Sequence, residues 1–199
     1  MASHLTTKIA EEFDKSIRLL QDMSRDASLQ SLLVRAVELS VEALKRGKKL
    51  MFAGNGGSAA DAQHWAGELV SRFYFDRPGL PAIALTTDTS ILTAIGNDYG
   101  YDYVFARQVE ALGAEGDVLF AISTSGNSKN ILRAIQAARV AGISVIGFTG
   151  SSGGAMASDC DICFRTPSNE TPKIQEGHEF LGHLLCGLIE HEIFADARS

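Results

Sequence analysis

Short apolar runs that alternate with helical segments constrain the fold of this chain more than any other feature. Residues 50–53 read Leu-Met-Phe-Ala, with no polar residue, which is typical of a strand buried on both faces. Similar runs lie at residues 82–85, 118–122, 145–148 and 162–164. Helical stretches separate most of these runs, and that alternation predicts βαβ units. The sequence therefore predicts an α/β fold, a three-layer αβα sandwich with a central parallel sheet.

Helices are predicted before and between these strands. Apolar residues at helical spacing predict an amphipathic helix over 7–23 and a second helix from about 29 to 45, with Gly47 as its stop. Further helices are predicted from 59 to about 73 and over 130–141, the latter stopped by Gly142. Because no linker or break in composition divides the chain, residues 1–199 are predicted to form a single domain, with a helical extension over about 1–47.

The final helix is predicted from residue 174 to about 195. Its central part, residues 180–189, is apolar nearly all round. A helix of this kind is normally buried, and contact with another subunit is the simplest way to bury it. We therefore expect the N-terminal helices and this final helix to pack in an oligomer.

Charge and targeting signals limit the partners of the chain. It has 18 Lys and Arg against 24 Asp and Glu, a net charge of −6, and no basic cluster of the kind that nucleic-acid binding requires. No run reaches the roughly 18 apolar residues of a membrane span, and the first residues lack an apolar leader. These features predict a cytoplasmic protein with no nucleic-acid and no membrane partner.

Cys160 and Cys163 form a C-x-x-C pair among three cysteines. No second pair is present to complete a four-cysteine zinc site. Because Cys163 lies in the apolar run Ile-Cys-Phe of residues 162–164, we interpret it as a buried thiol in a strand and not as a redox centre.

Two loops of similar composition each follow a predicted strand and precede a helix. Residues 54–58 read Gly-Asn-Gly-Gly-Ser, and residues 123–128 read Ser-Thr-Ser-Gly-Asn-Ser. Open α/β sheets bind ligands at the carboxyl ends of their strands, where helix N-termini attract anions. Either loop by itself is also compatible with an ordinary turn and helix cap, and Ser58 with Asp61 predicts a capping box. Two loops of one design favour a site for a sugar phosphate.

A nucleotide site is the alternative for the first loop. Gly54, Gly56 and Ala59 match the G-x-G-x-x-A pattern, but a dinucleotide site also needs an acidic residue about 20 residues on, at the end of the next strand. Asp76 precedes that strand and Asp88 lies too far beyond it. A P-loop is excluded, because neither loop contains Gly-Lys-Ser/Thr.

Candidate acid–base groups lie on two of the predicted helices. Asp61, His64 and Glu68 share one helix face by their spacing. A His and a carboxylate one turn apart can bind a divalent metal or act as acid and base, although a solvated polar face has the same spacing. His183 lies among leucines, so it is either a buried histidine with a partner or a site residue. The final helix also carries Gln175, Glu176, His178 and Glu179.

Four motifs together resemble the sugar isomerase (SIS) family. They are residues 54–64 (Gly-Asn-Gly-Gly-Ser-Ala-Ala-Asp-Ala-Gln-His), 93–98 (Thr-Ala-Ile-Gly-Asn-Asp), 123–128 and 174–176 (Ile-Gln-Glu). Within that family the resemblance is to the bacterial phosphoheptose isomerases, and it covers essentially the whole chain. It implies a flavodoxin-like sandwich and a homotetramer with active sites at subunit interfaces.

The resemblance also implies three groups of site residues. The sugar would contact Asn55, Gly56, Gly57, Glu68, Asn97, Asp98 and Gln175. The phosphate would be held by Ser123, Thr124, Ser125 and Ser128. One zinc ion per active site would be bound by His64, Glu68, Gln175 and His183. Glu68 and His183 would also be the catalytic residues of proton transfer.

The implied activity is the isomerisation of sedoheptulose 7-phosphate to D-glycero-D-manno-heptose 7-phosphate, the first step towards the heptose of lipopolysaccharide or other glycans. Reaction through an enediol needs a base near the carbon and an acid or Lewis acid near the carbonyl oxygen. Which of Glu68 and His183 is the base stays open, because a zinc-bound carboxylate is a poorer base. Gln175 and His183 lie about 12 Å apart along an ideal helix. One ion can reach both only if their side chains converge strongly or if two subunits contribute, and we favour a site at a subunit interface.

Two alternatives remain within the same fold. One is a non-catalytic relative that binds the bacterial replication initiator and, by resemblance, carries non-ionisable residues at positions 68 and 183. The other is an isomerase of a different sugar phosphate. The presence of Glu68 and His183 favours the enzyme over the binding protein.

Overall fold

The computed structural model describes residues 2–194, with side chains from His4 onward. Five strands form one parallel sheet in the order β2-β1-β3-β4-β5. The strands are β1 (Leu50–Gly54), β2 (Ala82–Ala84), β3 (Val118–Ile122), β4 (Ser144–Gly150) and β5 (Ile162–Thr166). The predicted parallel sheet is confirmed. Its order is that of flavodoxin-like doubly wound folds, in which the strand order reverses between β1 and β3.

Seven α-helices accompany the sheet within residues 2–194. They are α1 (Ala2–Arg25), α2 (Ala27–Lys45), α3 (Gly57–Val70), α4 (Thr89–Asp98), α5 (Ala106–Leu112), α6 (Lys129–Val140) and α7 (Thr171–Phe194). Sequence spacing does not locate α4 and α5 individually, because they are short and expose much of their surface. The predicted end of the last helix at about residue 195 lies outside the described residues, as does Met1.

The sheet separates two apolar cores, because successive side chains of a strand point to opposite faces. Leu50 and Phe52 of β1 enter a core shared with α1, α2, α3 and α7. Met51 and Ala53 enter a second core shared with α4, α5 and α6. All five residues of β1 and of β3 are buried, as expected for central parallel strands covered on both faces. The three-layer αβα sandwich is thereby confirmed.

Two helices end at the predicted glycine stops. Gly47 has a φ of +74° and donates to Leu44 O, while the Lys48 N–H donates to Ala43 O. Gly142 has a φ of +68° and closes α6 in the same way, through bonds to carbonyls of the helix's last turn. These pairs of bonds are Schellman motifs, in which the left-handed residue satisfies otherwise unpaired carbonyls.

The predicted capping box at Ser58 is wrong. Helix α3 begins at Gly57, and its N-cap is Gly56, which has a φ of +56° and no side chain to accept a hydrogen bond. Ser58 is already in the first turn and is buried. The helix begins early because the chain turns sharply after β1. A Cβ on Gly54 would overlap the Ser58 backbone, so a glycine permits this close approach.

Cys163 lies in β5 as predicted but is only half-buried, because β5 is an edge strand of the sheet. Cys160 is also half-buried, Cys186 is buried, and all three are free thiols. The prediction of a strand is therefore confirmed, and the prediction of full burial is wrong.

Helix α7 is covered mainly by its own chain. Its apolar residues Ile174, Leu181, Leu185 and Ile189 are at most 4% exposed, and the helix packs against α1, α2 and α3. Phe180 and Leu188 of α7 are 42% and 43% exposed, and the packing of this helix in an oligomer stays a prediction. A longer exposed apolar stripe lies on α1 and consists of Leu5, Ile9, Phe13, Ile17 and Leu20, which are 39–67% exposed. Among the described helices, none has the length and apolar character that a membrane crossing requires.

Candidate active site

The two predicted ligand loops meet at the carboxyl ends of β1 and β3, the neighbouring strands between which the strand order reverses. β1 and β3 are hydrogen-bonded neighbours, and α3 and α6 leave their carboxyl ends towards opposite cores. Asn55, directly after β1, forms two hydrogen bonds of 2.8 and 2.9 Å with Asn130 in the first turn of α6. The loops therefore border one crevice, which is the usual ligand position in doubly wound sheets.

In the loop of residues 123–128, Thr124, Ser125 and Ser128 reach the surface, whereas Ser123 is only 3% exposed. Ser123 Oγ and Ser128 Oγ lie 3.0 Å apart, and Ser125 Oγ accepts the Asn127 N–H at 3.1 Å. Ser128 is the N-cap of α6 but makes no side-chain capping bond, so its hydroxyl is not consumed by the helix. Thr124 is half-buried and Ser125 is exposed. This arrangement favours anion binding over the ordinary capping turn.

Residues that follow β4 hold this loop through two hydrogen bonds. The N–H groups of Ala155 and Met156 donate to Asn127 Oδ1 and Gly126 O at 2.9 and 3.0 Å. Gly126 has a φ of +68°, and a Cβ there would overlap the Gly153 carbonyl. Only glycine fits this position without strain. The glycine therefore lets the loop lie close to the backbone at Gly153.

A cluster of histidines and carboxylates joins α3 to α7. His64 Nε2 lies 2.8 Å from His183 Nε2. Glu179 Oε1 lies 3.2 Å from the His64 nitrogen and 3.1 Å from the His183 nitrogen. Glu68 Oε1 lies 3.6 Å from His64 Nε2. The helices approach closely here because Gly182 faces the Trp65 indole, which a Cβ would overlap.

Glu179 is the cluster member to which the sequence assigns no role. Its Oε2 accepts a hydrogen bond from Trp65 Nε1 at 2.9 Å, which orients the carboxylate towards both histidines. The sequence feature that could have identified Glu179 is its position one turn before His183 on the same helix face. That signal is weak, because Glu176 and other polar residues share the segment.

The donor atoms of this cluster fit a tetrahedral metal ion. His64 Nε2, His183 Nε2 and a Glu179 oxygen lie within 4.8 Å of one another, with separations of 2.8, 3.1 and 3.2 Å. Zinc bonds of about 2.0–2.1 Å in tetrahedral geometry put ligand atoms about 3.3 Å apart. The three atoms therefore approximate one face of a zinc coordination tetrahedron, and imidazole nitrogens with carboxylate oxygen are ligands that zinc accepts.

Asp61 lies one turn before the cluster on α3. Burial and the nearby Glu179 carboxylate raise the pKa of Asp61 to about 6, against the opposing effect of His64. Its Oδ2 is buried and has no hydrogen-bond partner among the residues that the structure describes. Asp61 is therefore an acidic group whose proton is held more tightly than usual beside the histidine pair.

The remaining predicted residues lie on α7 and at the end of α4. Gln175 is half-buried on α7, with its amide against Gly57, where a Cβ would overlap it. Asn97 and Asp98 are exposed at the end of α4, and Asn97 Nδ2 donates to Asp98 Oδ1 at 2.8 Å. The chain then reaches Tyr101, whose hydroxyl donates to Asn55 Oδ1 at 3.0 Å. The structure thus brings His64, His183 and Glu68 together and places Gln175 beside the first loop.

A buried ion pair fixes the far end of the two helices. Arg77 Nε donates to Glu190 Oε1 at 2.9 Å, and Glu190 also accepts the N–H groups of Phe73 and Tyr74. Both side chains are at most 1% exposed. Burial opposes ionisation of Glu190, but the two backbone N–H groups and Arg77 keep its pKa below the usual value. Phe73, held by this network, packs on His183 with ring centroids 5.6 Å apart.

Comparison with known proteins gives a consistent result. The SIS domain family matches residues 12–150. The phosphoheptose isomerase of Burkholderia pseudomallei (strain K96243) is 56% identical over 192 residues, which cover 96% of this chain and 95% of that protein. The phosphoheptose isomerase of Aneurinibacillus thermoaerophilus is 54% identical over 186 residues, or 94% of each chain.

Solved structures agree with these sequence matches. Phosphoheptose isomerase GmhA from Neisseria gonorrhoeae superposes with a TM-score of 0.88 at 46% identity, covering 94% of this chain and 98% of that one. A phosphoheptose isomerase from Francisella tularensis has a TM-score of 0.90 at 41% identity, with the same coverage. The chain therefore belongs to the SIS domain family and, within it, to the phosphoheptose isomerases.

Proposed function

We propose that the protein isomerises sedoheptulose 7-phosphate to D-glycero-D-manno-heptose 7-phosphate, an early step towards the heptose of lipopolysaccharide or other glycans. The observation that carries this proposal is the His64–His183 contact of 2.8 Å, with Glu68 beside it. These groups lie on α3 and α7, the two helices that also meet at the first ligand loop, where Gln175 of α7 rests on Gly57. Acid–base groups and a phosphate loop at one crevice are what an aldose–ketose isomerase needs.

The chemistry is the movement of one proton from C1 of the ketose to C2 of the aldose. Glu68 and His183 are the proposed catalytic residues. One would remove the proton from C1, and the other would donate a proton to the carbonyl oxygen. Glu179 Oε1 contacts the His183 imidazole at 3.1 Å, and Phe73 covers one side of its ring. These contacts fix the orientation of His183, which proton transfer requires.

Substrate is proposed to bind through the two loops and the residues near them. The sugar would contact Asn55, Gly56, Gly57, Glu68, Asn97, Asp98 and Gln175. The phosphate would be held by Ser123, Thr124, Ser125 and Ser128, whose hydroxyls adjoin the N-terminus of α6.

We propose that His64 and His183 bind one zinc ion per site, with Glu68 and Gln175 as further ligands. Glu179 is an additional candidate, because its Oε1 contacts both histidine nitrogens. When bound, zinc would polarise the carbonyl group of the substrate. Metal content of purified variants tests the set. We expect His64→Ala to lose zinc, and comparison of Gln175→Ala with Glu179→Gln identifies the remaining ligand. A zinc content unchanged in His64→Ala would contradict the site.

A homotetramer is proposed as the assembly, with active sites at subunit interfaces and a cytoplasmic location. The support is the apolar stripe on α1 (Leu5, Ile9, Phe13, Ile17 and Leu20), since an exposed surface of this kind marks an interaction site. Light scattering at micromolar concentration should give a tetramer. A stable monomer would contradict the assembly.

The activity and its alternatives are distinguished by one set of assays. Purified protein is offered sedoheptulose 7-phosphate and a panel of other sugar phosphates, with and without chelator. A pull-down with the bacterial replication initiator is run in parallel. We expect turnover of sedoheptulose 7-phosphate and no initiator capture. Preferred turnover of another sugar phosphate, or initiator capture without turnover, would replace the proposal with one of the two alternatives.

A further inference from the structure

Asn55 lies at the centre of a hydrogen-bond network that joins three segments at the crevice where the strand order reverses. Its Nδ2 donates to Asn130 Oδ1 at 2.9 Å, and Asn130 Nδ2 donates back to Asn55 Oδ1 at 2.8 Å. The Tyr101 hydroxyl donates to the same Asn55 oxygen at 3.0 Å. The β1–α3 loop, the first turn of α6 and the turn after α4 therefore converge on one side-chain amide.

The hydrogen-bonding capacity of this amide is almost fully used within the protein. A side-chain amide has two acceptor lone pairs and two N–H donors. Asn55 Oδ1 already accepts two hydrogen bonds, and Asn55 Nδ2 uses one of its two protons on Asn130. One Asn55 N–H is left. Asn55 is only half-buried, whereas Asn130 is 3% exposed, so a ligand can reach Asn55 and not its partner.

We propose that Asn130 and Tyr101 are positioning residues for Asn55. They hold its amide with both oxygen lone pairs occupied, so that Asn55 presents a single N–H to the substrate. The subsite therefore selects a hydrogen-bond acceptor, a carbonyl or hydroxyl oxygen of the sugar. This inference rests on the proposed function, in which Asn55 contacts the sugar.

The position of Asn130 also separates sugar orientation from phosphate binding. Asn130 is the second residue of α6, directly after the loop that would hold the phosphate. Its helix is anchored by Ile131, Ala134 and Ile135, all fully buried. Because the phosphate hydroxyls do not bond to Asn130, changing its side chain should disturb the Asn55 amide and leave the phosphate contacts in place.

Two substitutions test the inference through kcat, KM and the inhibition constant of inorganic phosphate. Asn130→Asp keeps the size of the side chain but replaces the Nδ2 donor by a carboxylate oxygen. Tyr101→Phe removes only a hydroxyl group from a residue that is 63% exposed, so this variant should fold as the wild type does. We expect kcat for sedoheptulose 7-phosphate to fall about tenfold or more in Asn130→Asp and about threefold in Tyr101→Phe. In Tyr101→Phe, which adds no charge near the phosphate loop, phosphate inhibition should stay within about twofold of wild type.

A matched control and a double-mutant cycle complete the test. Tyr99→Phe removes a neighbouring exposed hydroxyl that makes no hydrogen bond among the described residues, and it should behave as wild type. Asn55→Ala combined with Asn130→Asp should be no slower than Asn55→Ala, since both act through one amide. Unchanged kcat in both test variants, losses that multiply in the double variant, or a phosphate affinity that falls in step with kcat in Tyr101→Phe would overturn the proposal.

The Asn55 side-chain NH₂ signals give a readout that is independent of turnover. In ¹⁵N-labelled wild type, assigned through Asn55→Ala, the proton that donates to Asn130 should resonate downfield of its position in a solvent-exposed asparagine, because the hydrogen bond deshields it. Asn130→Asp should shift the NH₂ signals, and unchanged signals would contradict the positioning role. A wild-type protein that fails to turn over the sugar would count against the proposed function alone.

Discussion

His64 Nε2 on α3 and His183 Nε2 on α7 lie 2.8 Å apart, although the two residues are 119 positions apart in the sequence. Glu179 Oε1 contacts both nitrogens at 3.1–3.2 Å. A single chain therefore supplies two imidazoles and a carboxylate to one point. The long Gln175–His183 spacing suggested a site shared by two subunits, but the histidine pair itself needs no partner.

Substitution of the two proposed catalytic residues should give large and non-additive losses. Glu68→Gln keeps shape and hydrogen bonding but removes the base, and His183→Gln removes the imidazole. Each should lower the rate of isomerisation by about 10²–10⁴. The double variant should be little slower than either single variant, because the two groups serve one proton-transfer unit. His191→Gln, an exposed histidine on the same helix, is the control. Losses that multiply would indicate that the two residues act separately.

Ser125 should contribute to phosphate binding through its hydroxyl. Ser125 Oγ accepts the Asn127 N–H, so its own proton is available for a phosphate oxygen. Ser125→Ala should weaken binding of phosphorylated sugars by about 1–2 kcal/mol, measured by calorimetry. Ser158→Ala, an exposed serine outside the loop, should bind as wild type. Equal affinity of the wild type for phosphorylated and dephosphorylated sugars would contradict the phosphate assignment.

His178 should make stability depend on pH below neutrality. Its ring is fully buried, and Nε2 donates one hydrogen bond to Thr149 O at 3.2 Å. Burial lowers its pKa from 6.5 to about 4, so the unfolded chain binds a proton more readily than the folded chain. This group's contribution to the free energy of unfolding is therefore complete above pH 6.5 and is lost as pH falls towards 4, by about 3 kcal/mol.

Denaturant unfolding at several pH values measures this loss. His178→Gln should have a flatter decline between pH 6.5 and 4 than the wild type, whereas His191→Gln should keep the wild-type slope because its side chain is exposed. Identical slopes in all three proteins would show that His178 is not responsible.

The Arg77–Glu190 pair should be essential for stability. Glu190→Gln leaves the buried Arg77 guanidinium without a counter-ion and weakens the bonds to Phe73 and Tyr74. Breaking a buried pair by removing one partner typically costs about 3–5 kcal/mol. Glu192→Gln changes an exposed carboxylate on the same helix and should cost almost nothing. A Glu190→Gln protein as stable as the control would show that this network does not contribute to the free energy of unfolding.

The sequence predicts the strand framework well, because central parallel strands are continuous apolar runs. β1 and β3 are recognisable for this reason, and their order places both ligand loops at one crevice. Helices α4 and α5 are harder to locate, since short helices with much exposed surface show little apolar periodicity. The capping box at Ser58 failed because glycines let the chain turn into α3 before Ser58.

Tertiary proximity explains what the sequence could not assign. Glu179, Asn130 and Tyr101 gain their roles only when α7, α6 and the turn after α4 meet the first loop and α3. Spacing within a helix identified Glu68 and His64 but gave no measure of the distance between helices. The apolar final helix likewise predicted an interface, but its sequence did not show that α1, α2 and α3 of the same chain cover most of its apolar residues.

Turnover of sedoheptulose 7-phosphate in deuterated water, followed by NMR, tests the central claim most directly. The wild-type protein should form D-glycero-D-manno-heptose 7-phosphate with deuterium on C2, because the enediol is reprotonated there by a group that exchanges with solvent. Glu68→Gln should form this product about 10²–10⁴ times more slowly. Absence of the heptose product with the wild type, or equal rates for the wild type and Glu68→Gln, would contradict the account.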